Sequence, residues 1–377
     1  MKNITLLLAI SLLMPLSMAG QQETDPIVEQ LAIGADMPWF SLPGTDDKIY
    51  TPEDFRDYDM LVMIFTCNHC PTAQAYEQRI LNLYRDFSSK GVGFVAISPN
   101  SNEALSLAEC GYSDLDDSFE AMKIRAKDLG LEFPYLFDGE TSETSVRFGP
   151  VATPHVFIFD KERKLRYRGR IDDMESPYEK PGTKDTRNAI NALLNGEPVL
   201  VETTKTFGCS VKWPWKDAWT KQLIEDWDNE KVVLDYGERE NLEELLVNNS
   251  ENLLLVNVWA TYCGPCIIEF PDLVETYRMY NGRGLDFVSI SMDRPGNEEN
   301  VLQFLTDKNA AVTNYLWTGG TSYDAVDIID HGWQGSLPFT LLIKPGGTVL
   351  FSHEGAVDIL TLRKAIIGEL GRYFADD

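Results

Sequence analysis

The sequence is poor in cysteine, histidine and basic residues, and each shortage excludes a class of protein. Only six cysteines and four histidines occur in 377 residues, far below the density of a small disulfide-stapled domain. The 33 Lys and Arg residues are outnumbered by 59 Asp and Glu residues, which gives a formal net charge of −26. Binding to nucleic acid or to anionic lipid needs clustered positive charge, so we expect neither kind of partner.

The remaining composition is that of a globular protein. Hydrophobic residues make up 44% of the chain and aromatic residues 11%, which is enough to build packed cores. A length of 377 residues exceeds one compact domain and predicts two or three domains.

The apolar stretch at the N-terminus is too short to span a bilayer comfortably. Residues 4–16 follow Lys2 and would cover about 20 Å as a helix, against about 30 Å of hydrocarbon. Small residues precede a possible cut after Ala19. We therefore predict a signal peptide at 1–19, a linker at 20–30 and an exported mature protein, periplasmic or secreted, that is not inserted in a membrane. An uncleaved anchor is the alternative.

Strand and helix patterns occur twice in the same order. In each half a long buried strand is followed by a C-x-x-C pair and an amphipathic helix. The two pairs are Cys67 with Cys70, after the strand at 59–66, and Cys263 with Cys266, after the strand at 252–261. The segment between the halves, 196–238, holds four tryptophans. Indoles need burial, which predicts a packed connector.

The C-x-x-C spacing suits thiol–disulfide exchange. Cysteines at i and i+3 in the first turn of a helix lie on one face, near the separation that a disulfide requires. Free backbone N–H groups at the helix start favour a thiolate there. We therefore expect Cys67 and Cys263 to be nucleophiles, with Cys70 and Cys266 as resolving thiols. A static disulfide is the alternative. The pairs lie too far apart for a zinc ribbon, so we expect no metal and no other cofactor.

The second half resembles a known family. Residues 259–266 read W-A-T-Y-C-G-P-C, which is similar to the thioredoxin active site. Pro271 fits that family's helix proline, and Leu337-Pro338 fits its cis-proline. The extra strand and helix before Pro338 resemble the TlpA/ResA-like exported branch.

The first half resembles the broader redoxin group, the alkyl hydroperoxide reductase/thiol-specific antioxidant superfamily. Its marks are the segment at 34–42, Cys67-Asn68-His69-Cys70-Pro71, and Thr153-Pro154 before a hairpin. The resemblances imply an α/β fold of two thioredoxin-like domains in tandem, each a central mixed sheet flanked by helices. We place the domains at 31–195 and 239–377.

The resemblance also implies roles for residues around the cysteines. Glu269 matches the active-site glutamate of the TlpA/ResA-like branch, where it would exchange the proton of Cys266. Asn257 stands where thioredoxins keep a buried Asp, so the proton transfer falls to Glu269.

A second implied feature is the substrate-binding edge beside each centre. Thr153 and Pro154 in the first half, and Leu337 and Pro338 in the second, would present this backbone edge to a substrate.

Residues between the paired cysteines would tune the two centres. His69 would stabilise the Cys67 thiolate, whereas Gly264 and Pro265 supply no charge. This predicts a more oxidising first centre, with electrons passing to it from Cys263 and Cys266. Independent action of the two halves is the alternative.

Two cysteines remain outside the C-x-x-C pairs. Cys110 and Cys209 could form a structural disulfide, Cys209 could resolve the first centre, or both could stay as buried free thiols.

The function predicted from the sequence is that of an exported thiol–disulfide oxidoreductase with two redox centres. Its partners would be disulfide- or dithiol-containing proteins and a thiol electron donor. One alternative is a thiol peroxidase acting through the first half, although neither Cys67 nor Cys70 fits the P-x-x-x-T-x-x-C pattern of peroxiredoxins. The other is a first half that is a non-catalytic docking module for the second.

Overall fold

The computed structural model of the protein describes residues 25–374. The predicted signal peptide at 1–19 lies outside the described residues. Within 25–374, none of the helices combines the length and the apolar character needed to cross a bilayer.

The first half of the chain forms a sheet of five strands. Its elements are the strands β1 (Leu42–Pro43), β2 (Ile49–Tyr50), β3 (Met60–Phe65), β4 (Val92–Ser98), β5 (Tyr135–Phe137), β6 (Ala152–Thr153), β7 (His155–Phe159) and β8 (Leu165–Gly169), and the helices α1 (Pro71–Phe87), α2 (Phe119–Leu129), α3 (Glu143–Phe148) and α4 (Asp185–Leu194). The strand order is β5-β4-β3-β7-β8. The strands β5, β4 and β3 run parallel, and β7 and β8 are antiparallel to their neighbours.

The central strand β3 shows why this sheet is covered on both faces. All six of its side chains are buried, and alternate residues enter different cores because successive side chains point to opposite faces of a strand. Met60, Val62 and Ile64 pack in one cluster with α1. The alternate residues Leu61 and Met63 pack in a second cluster on the other face.

The second half forms a sheet of six strands. Its elements, including those of the connector, are the strands β9 (Cys209–Ser210), β10 (Asp235–Gly237), β11 (Leu253–Trp259), β12 (Leu285–Ser291), β13 (Thr313–Trp317), β14 (Phe339–Ile343) and β15 (Val349–Glu354), and the helices α5 (Ala218–Asp228), α6 (Arg239–Val247), α7 (Gly264–Tyr280), α8 (Glu298–Asp307), α9 (Ser322–Ile329) and α10 (Ile359–Leu370). The strand order is β10-β13-β12-β11-β14-β15, with β14 and β15 antiparallel. Each half is therefore a central mixed sheet flanked by helices.

The connector is divided between the two domains. Its strand β9 pairs with β6 of the first domain, and β10, which lies before the predicted boundary at 239, pairs with β13 of the second sheet. Trp213 is buried and stacks on Trp215 at 5.3 Å between ring centroids. Trp219 is 67% exposed because it lies on the outer surface of α5. The expectation that all four indoles are buried is therefore wrong for Trp219.

The two domains share part of one core. Leu105 and Cys110 of the first domain are buried in the same cluster as residues of α7 in the second. The Tyr280 hydroxyl on α7 donates a hydrogen bond of 2.6 Å to the Ser113 carbonyl. The Arg372 guanidinium pairs with the buried Asp114 carboxylate at 2.6 Å.

Candidate active sites

The second cysteine pair is a disulfide at the start of α7. Cys263 and Cys266 are bonded, with Cα atoms 5.3 Å apart. Cys263 is the N-cap of α7, and its Sγ accepts a hydrogen bond of 3.3 Å from the Cys266 amide. Gly264 and Pro265 form the first turn and are exposed. The backbone donors of a helix start therefore face the Cys263 sulfur, as the sequence predicts.

A buried carboxylate lies one turn beyond Cys266. Glu269 is only 4% exposed. Its oxygens accept hydrogen bonds from the Asn257 side chain at 3.1 Å and from the Val357 amide at 2.8 Å. Burial raises the pKa of Glu269 above its ordinary value, although these two hydrogen bonds act against the rise. Glu269 can thus carry a proton at a higher pH than an exposed glutamate.

The substrate edge beside the second centre is free of internal strands. The Leu337–Pro338 peptide bond is cis, and Pro338 leads directly into β14. Among residues 25–374, no strand pairs with Leu337. Tyr262 and Ile268, on either side of the disulfide in sequence, are 71% and 78% exposed. An extended peptide could therefore lie along this edge.

The first cysteine pair stands in a different register from the second. When the sheets are matched, Met60 corresponds to Leu253 because each pairs with the first residue of the next parallel strand. The same match continues into the helices, where Cys70 is the N-cap of α1. Cys70 is therefore the counterpart of Cys263, and Cys67 is the counterpart of Ala260.

This register corrects the expected roles in the first half. Cys67, predicted as the nucleophile in the helix start, precedes α1 by more than one residue, and Cys70 takes the N-cap position instead. Ala73 corresponds to Cys266, and Tyr76 corresponds to Glu269. The physical reason is that α1 begins at Pro71, which fits the first helical position since it lacks an N–H.

Cys70 receives hydrogen bonds from several directions. Its Sγ accepts from the amides of Ala73 at 3.4 Å and Cys209 at 3.3 Å. When protonated, the same sulfur donates to the Thr153 carbonyl at 3.1 Å. Burial opposes ionisation, but hydrogen bonds from Cys209 and Cys67, the charge of His69 and the Ala73 amide together hold the pKa of Cys70 well below its ordinary value. The backbone donors of the first centre therefore face Cys70 and favour its ionisation.

Cys67 is the less acidic thiol of the first centre. Burial, followed by the hydrogen bond with Cys70, raises its pKa well above the ordinary value. The Cys67 Sγ also lies 3.1 Å from the Thr153 hydroxyl. Cys67 is 4% exposed and Cys70 is fully buried, so the first centre is closed to large partners.

A buried histidine–carboxylate pair supports the first centre. The His69 Nδ1 lies 2.6 Å from Asp117 Oδ2, which also accepts from the Asn100 amide group at 2.7 Å. Asp117 Oδ1 accepts from the backbone amides of Asn68 and His69. Burial lowers the pKa of His69, but the Asp117 charge outweighs it and the net shift is upward. The charge of protonated His69 lowers the pKa of Cys70, whereas the sequence predicts this effect on Cys67.

These residues also include a possible metal-ligand group. Cys67, His69 and Asp117 offer ligand atoms within 4.8 Å of one another. Both Asp117 oxygens, however, already accept two hydrogen bonds each. The geometry therefore suits a hydrogen-bonded ion pair, and we assign no metal to it.

The edge beside the first centre is occupied. The Thr153–Pro154 peptide bond is cis, like that of Leu337–Pro338. Unlike Leu337, Thr153 is paired with Cys209 in the small sheet of β6 and β9. The predicted substrate edge of the first domain therefore holds a strand of the connector.

Cys110 and Cys209 are both free thiols, so the first of the three alternatives, a disulfide between them, is not formed. The reason is their location. Cys110 is buried against α7 in the shared core, whereas Cys209 packs against Cys67, Cys70 and Ala73.

Sequence reasoning missed Asp117 and Asn100, which complete the first centre. Asp117 lies 48 positions from His69 along the chain, and no motif links them. The run of small and acidic residues at 113–118 gives no signal by itself, because charged runs are typical of surfaces. Only the fold brings this carboxylate under the cysteine loop.

Comparison with known proteins agrees with this architecture. Residues 33–168 match the AhpC/TSA family. The thiol-disulfide oxidoreductase ResA of Oceanobacillus iheyensis is 30% identical over 106 residues, which cover 28% of this chain and 51% of ResA. ResA of Bacillus subtilis is 26% identical over 102 residues, covering 26% of this chain and 50% of ResA. The chain thus spans about half the length of the curated relatives it matches.

Two solved structures are each similar to about half of the chain. The hypothetical protein SMc02350 from Sinorhizobium meliloti 1021 is 28% identical with a TM-score of 0.44, covering 49% of this chain and 96% of its own. A conserved protein from Geobacillus kaustophilus is 37% identical with a TM-score of 0.43, covering 48% and 92%. The chain is a tandem of two thioredoxin-like folds, similar to the AhpC/TSA family over residues 33–168 and to ResA-type thiol-disulfide oxidoreductases.

Proposed function

We propose that this protein is an exported thiol–disulfide oxidoreductase that acts on protein substrates through Cys263 and Cys266. The observation that carries the proposal is the Cys263–Cys266 disulfide at the start of α7, with the N-cap sulfur facing a backbone donor. The similarity to ResA, a protein named for this activity, supports the same assignment.

The chemistry proceeds through a mixed disulfide. In the reduced centre the Cys263 thiolate attacks a substrate disulfide, and Cys266 then displaces the substrate thiolate. Cys266 must lose its proton to do so, and Glu269 is the buried group one turn away that can accept it. The backbone edge at Leu337 would align the substrate chain beside Cys263.

The test is reduction of insulin disulfides by the mature protein with a small dithiol as donor. Cys263→Ser should lower turnover about 100-fold or more, because the attacking sulfur is lost. Cys110→Ala is the matched control, since Cys110 is a buried cysteine outside both centres, and it should retain activity. Unchanged turnover in Cys263→Ser would refute the proposal. Capture of mixed disulfides by Cys266→Ser would then identify the natural partners.

Export has its own test. If residues 1–19 are a signal peptide, protein recovered from the envelope fraction of a bacterial host should begin at Gly20 by intact mass. A full-length mass in that fraction would favour the uncleaved anchor.

A second candidate is thiol peroxidase activity of the first domain. The AhpC/TSA match at 33–168 and the stabilised Cys70 thiolate favour it. A small peroxide, unlike a protein, could enter the closed centre. Peroxide consumption that is lost in Cys70→Ser and kept in Cys263→Ser would support this activity. If every activity disappears in Cys263→Ser while Cys67 and Cys70 are intact, the docking-module alternative gains support.

A further inference from the structure

A strand of the connector lies against the first centre where a substrate would otherwise lie. In the pairing of β9 with β6, Cys209 is opposite Thr153, the residue before cis-Pro154. Gly208 makes this approach possible: its φ is +122°, and a Cβ there would come within 2.1 Å of the Thr153 carbonyl oxygen. No other residue type fits this position without displacing the strand.

The strand is firmly held on both sides of Cys209. Before it, Phe207 stacks on Tyr76 at 6.2 Å. After it, the backbone of Lys212 makes two hydrogen bonds with the loop after β4. Its carbonyl accepts from the Ser101 amide at 2.8 Å, and its amide donates to the side-chain oxygen Oδ1 of Asn100 at 2.9 Å. The Lys212 ammonium also pairs with Glu109. Cys209 is therefore a fixed part of the first domain.

The three sulfurs form a series from the interior outward. Cys209 packs against the cluster of Cys67, Cys70 and Ala73, and the Cys209 amide donates to the Cys70 sulfur at 3.3 Å. Cys67 is 4% exposed and Cys70 is fully buried, whereas Cys209 is partly exposed. An external thiol therefore meets Cys209 first.

We propose that Cys209 is a third redox-active cysteine, which carries thiol–disulfide exchange between the buried Cys67/Cys70 pair and external thiols. This inference rests on the proposed thiol–disulfide chemistry and extends it to the first domain. In this proposal the strand β9 of the connector carries the thiol that reacts with the Cys67/Cys70 pair.

Each step of the exchange conserves atoms and electrons. In the oxidised centre, Cys209 attacks the Cys70 sulfur of the Cys67–Cys70 disulfide, a Cys70–Cys209 disulfide forms, and Cys67 leaves with the proton that Cys209 gives up. A small thiol reductant then attacks Cys209, and Cys70 leaves as its stabilised thiolate. A second reductant thiol frees Cys209, so that two thiols become one disulfide and the centre gains two electrons.

The state of Cys70 controls this sequence. In the reduced centre the hydrogen bond to Cys70, together with burial, raises the pKa of Cys209 and keeps it protonated. Once Cys70 is in a disulfide, that hydrogen bond to a thiolate is gone. Cys209 then becomes a better nucleophile, at the moment when attack is required.

The first experiment traps the predicted disulfide. In a Cys110→Ala, Cys263→Ser, Cys266→Ser background, Cys67→Ser is oxidised with glutathione disulfide and mapped by mass spectrometry without reduction. We expect a Cys70–Cys209 disulfide. The matched control Cys70→Ser should give no Cys67–Cys209 disulfide, because Cys209 contacts the Cys70 sulfur, whereas the Cys67 sulfur contacts the Thr153 hydroxyl. Failure of Cys67→Ser to form the bond, under conditions that oxidise the parent pair, overturns the proposal.

The second experiment measures the route of electrons. In the same background with Cys67 and Cys70 intact, Cys209→Ser should slow reduction of the Cys67–Cys70 disulfide by glutathione about tenfold or more. A rate within about twofold of the parent overturns the proposal. It is equally overturned if the three thiols react with a thiol reagent only after a chelator is added, since they would then hold a metal.

A separate measurement keeps this inference distinct from the proposed function. Insulin reduction is measured in Cys209→Ser with Cys263 and Cys266 intact. Wild-type turnover there shows that the protein is folded and that the second centre works without Cys209. Failure of the proposed function would instead appear as unchanged insulin reduction in Cys263→Ser, while the Cys70–Cys209 bond still forms.

Discussion

The two centres share a cysteine spacing but use it differently. In the second, the N-cap sulfur belongs to the first cysteine of the pair and the other cysteine lies inside the helix. In the first, the N-cap sulfur belongs to the second cysteine, and its partner precedes the helix. The difference teaches that the helix start, and not the order within C-x-x-C, decides which sulfur faces the backbone donors.

The surroundings differ in the same sense. The edge at Leu337 is free of other strands among residues 25–374, while the edge at Thr153 is covered by β9. The open edge suits the protein substrate that we propose for the second centre, and the covered edge suits the proposed exchange of the first centre with its own chain or with a small molecule. One fold thus provides one open and one closed redox site.

The sharpest test of the comparison is the identity of the first thiolate. With Cys263 and Cys266 replaced by Ser, the ultraviolet absorbance of the thiolate is followed as a function of pH. Cys70→Ser should abolish this absorbance below about neutral pH, and Cys67→Ser should retain it, because the amide donors face Cys70. The reverse pattern would restore Cys67 as the nucleophile.

The next largest effect concerns Glu269, whose counterpart in the first domain is Tyr76. Glu269→Gln should slow the second centre about 10²- to 10⁴-fold, since only the proton transfer is lost. Asp272→Asn, an exposed carboxylate on the same helix, is the control and should keep the rate. A Gln variant within about twofold of wild type would make Glu269 merely structural.

The raised pKa of Glu269 also determines the direction in which the stability of the protein changes with pH. The folded state binds a proton that the unfolded state has released, in the window between the ordinary value of 4.5 and the raised pKa. Stability therefore falls as pH rises through this window, and the Gln variant should lose that dependence. Urea unfolding of both proteins across this window measures it.

A third test concerns the residues that follow the two cis-prolines, which are His155 in β7 and Phe339 in β14. It replaces His155 by phenylalanine, the residue that the second domain has at this position. Burial, followed by the charge of Arg168, lowers the pKa of His155 to about 3. Between 6.5 and that value the unfolded state binds the extra proton, so stability is lost as pH falls. At a pH of about 4 this amounts to about 3 kcal/mol.

His155→Phe should remove this part of the acid sensitivity. Urea unfolding of both proteins as a function of pH gives the slope directly, whatever the difference in stability at neutral pH. Parallel curves for the two proteins would contradict the assignment.

The smallest expected effect is on reduction potential. Charged His69 stabilises the Cys70 thiolate, which makes the first disulfide the stronger oxidant. Titration against glutathione should place the first centre above the second, and His69→Ala should lower it by about 30 mV, equivalent to about 1.4 kcal/mol. His331→Ala, an exposed histidine, is the control. An unchanged potential in His69→Ala would contradict the role of this side chain.

The sequence was sufficient where the signal is local. The largely apolar runs of β3 and β11 predict buried strands, and the C-G-P-C motif predicts a cysteine pair at a helix start, where the structure has the Cys263–Cys266 disulfide. Both rest on residues within one segment or on a strong resemblance.

What the sequence could not provide depends on distant contacts. The strand β9 has only two residues and carries no periodicity, so its pairing with β6 is invisible before folding. The register of Cys67 and Cys70 depends on where α1 begins, and a C-x-x-C motif reads the same in either register. The Asp117 partner of His69 is defined only by the packing of the loop before α2 on the first centre.

The core shared between the domains bears on how this chain holds together. Leu105 and Cys110 complete the packing around α7, the helix that begins at Cys263. If the first domain unfolds, α7 loses these apolar neighbours. We therefore expect the two domains to unfold as one cooperative unit, for which calorimetry would record a single transition and not two.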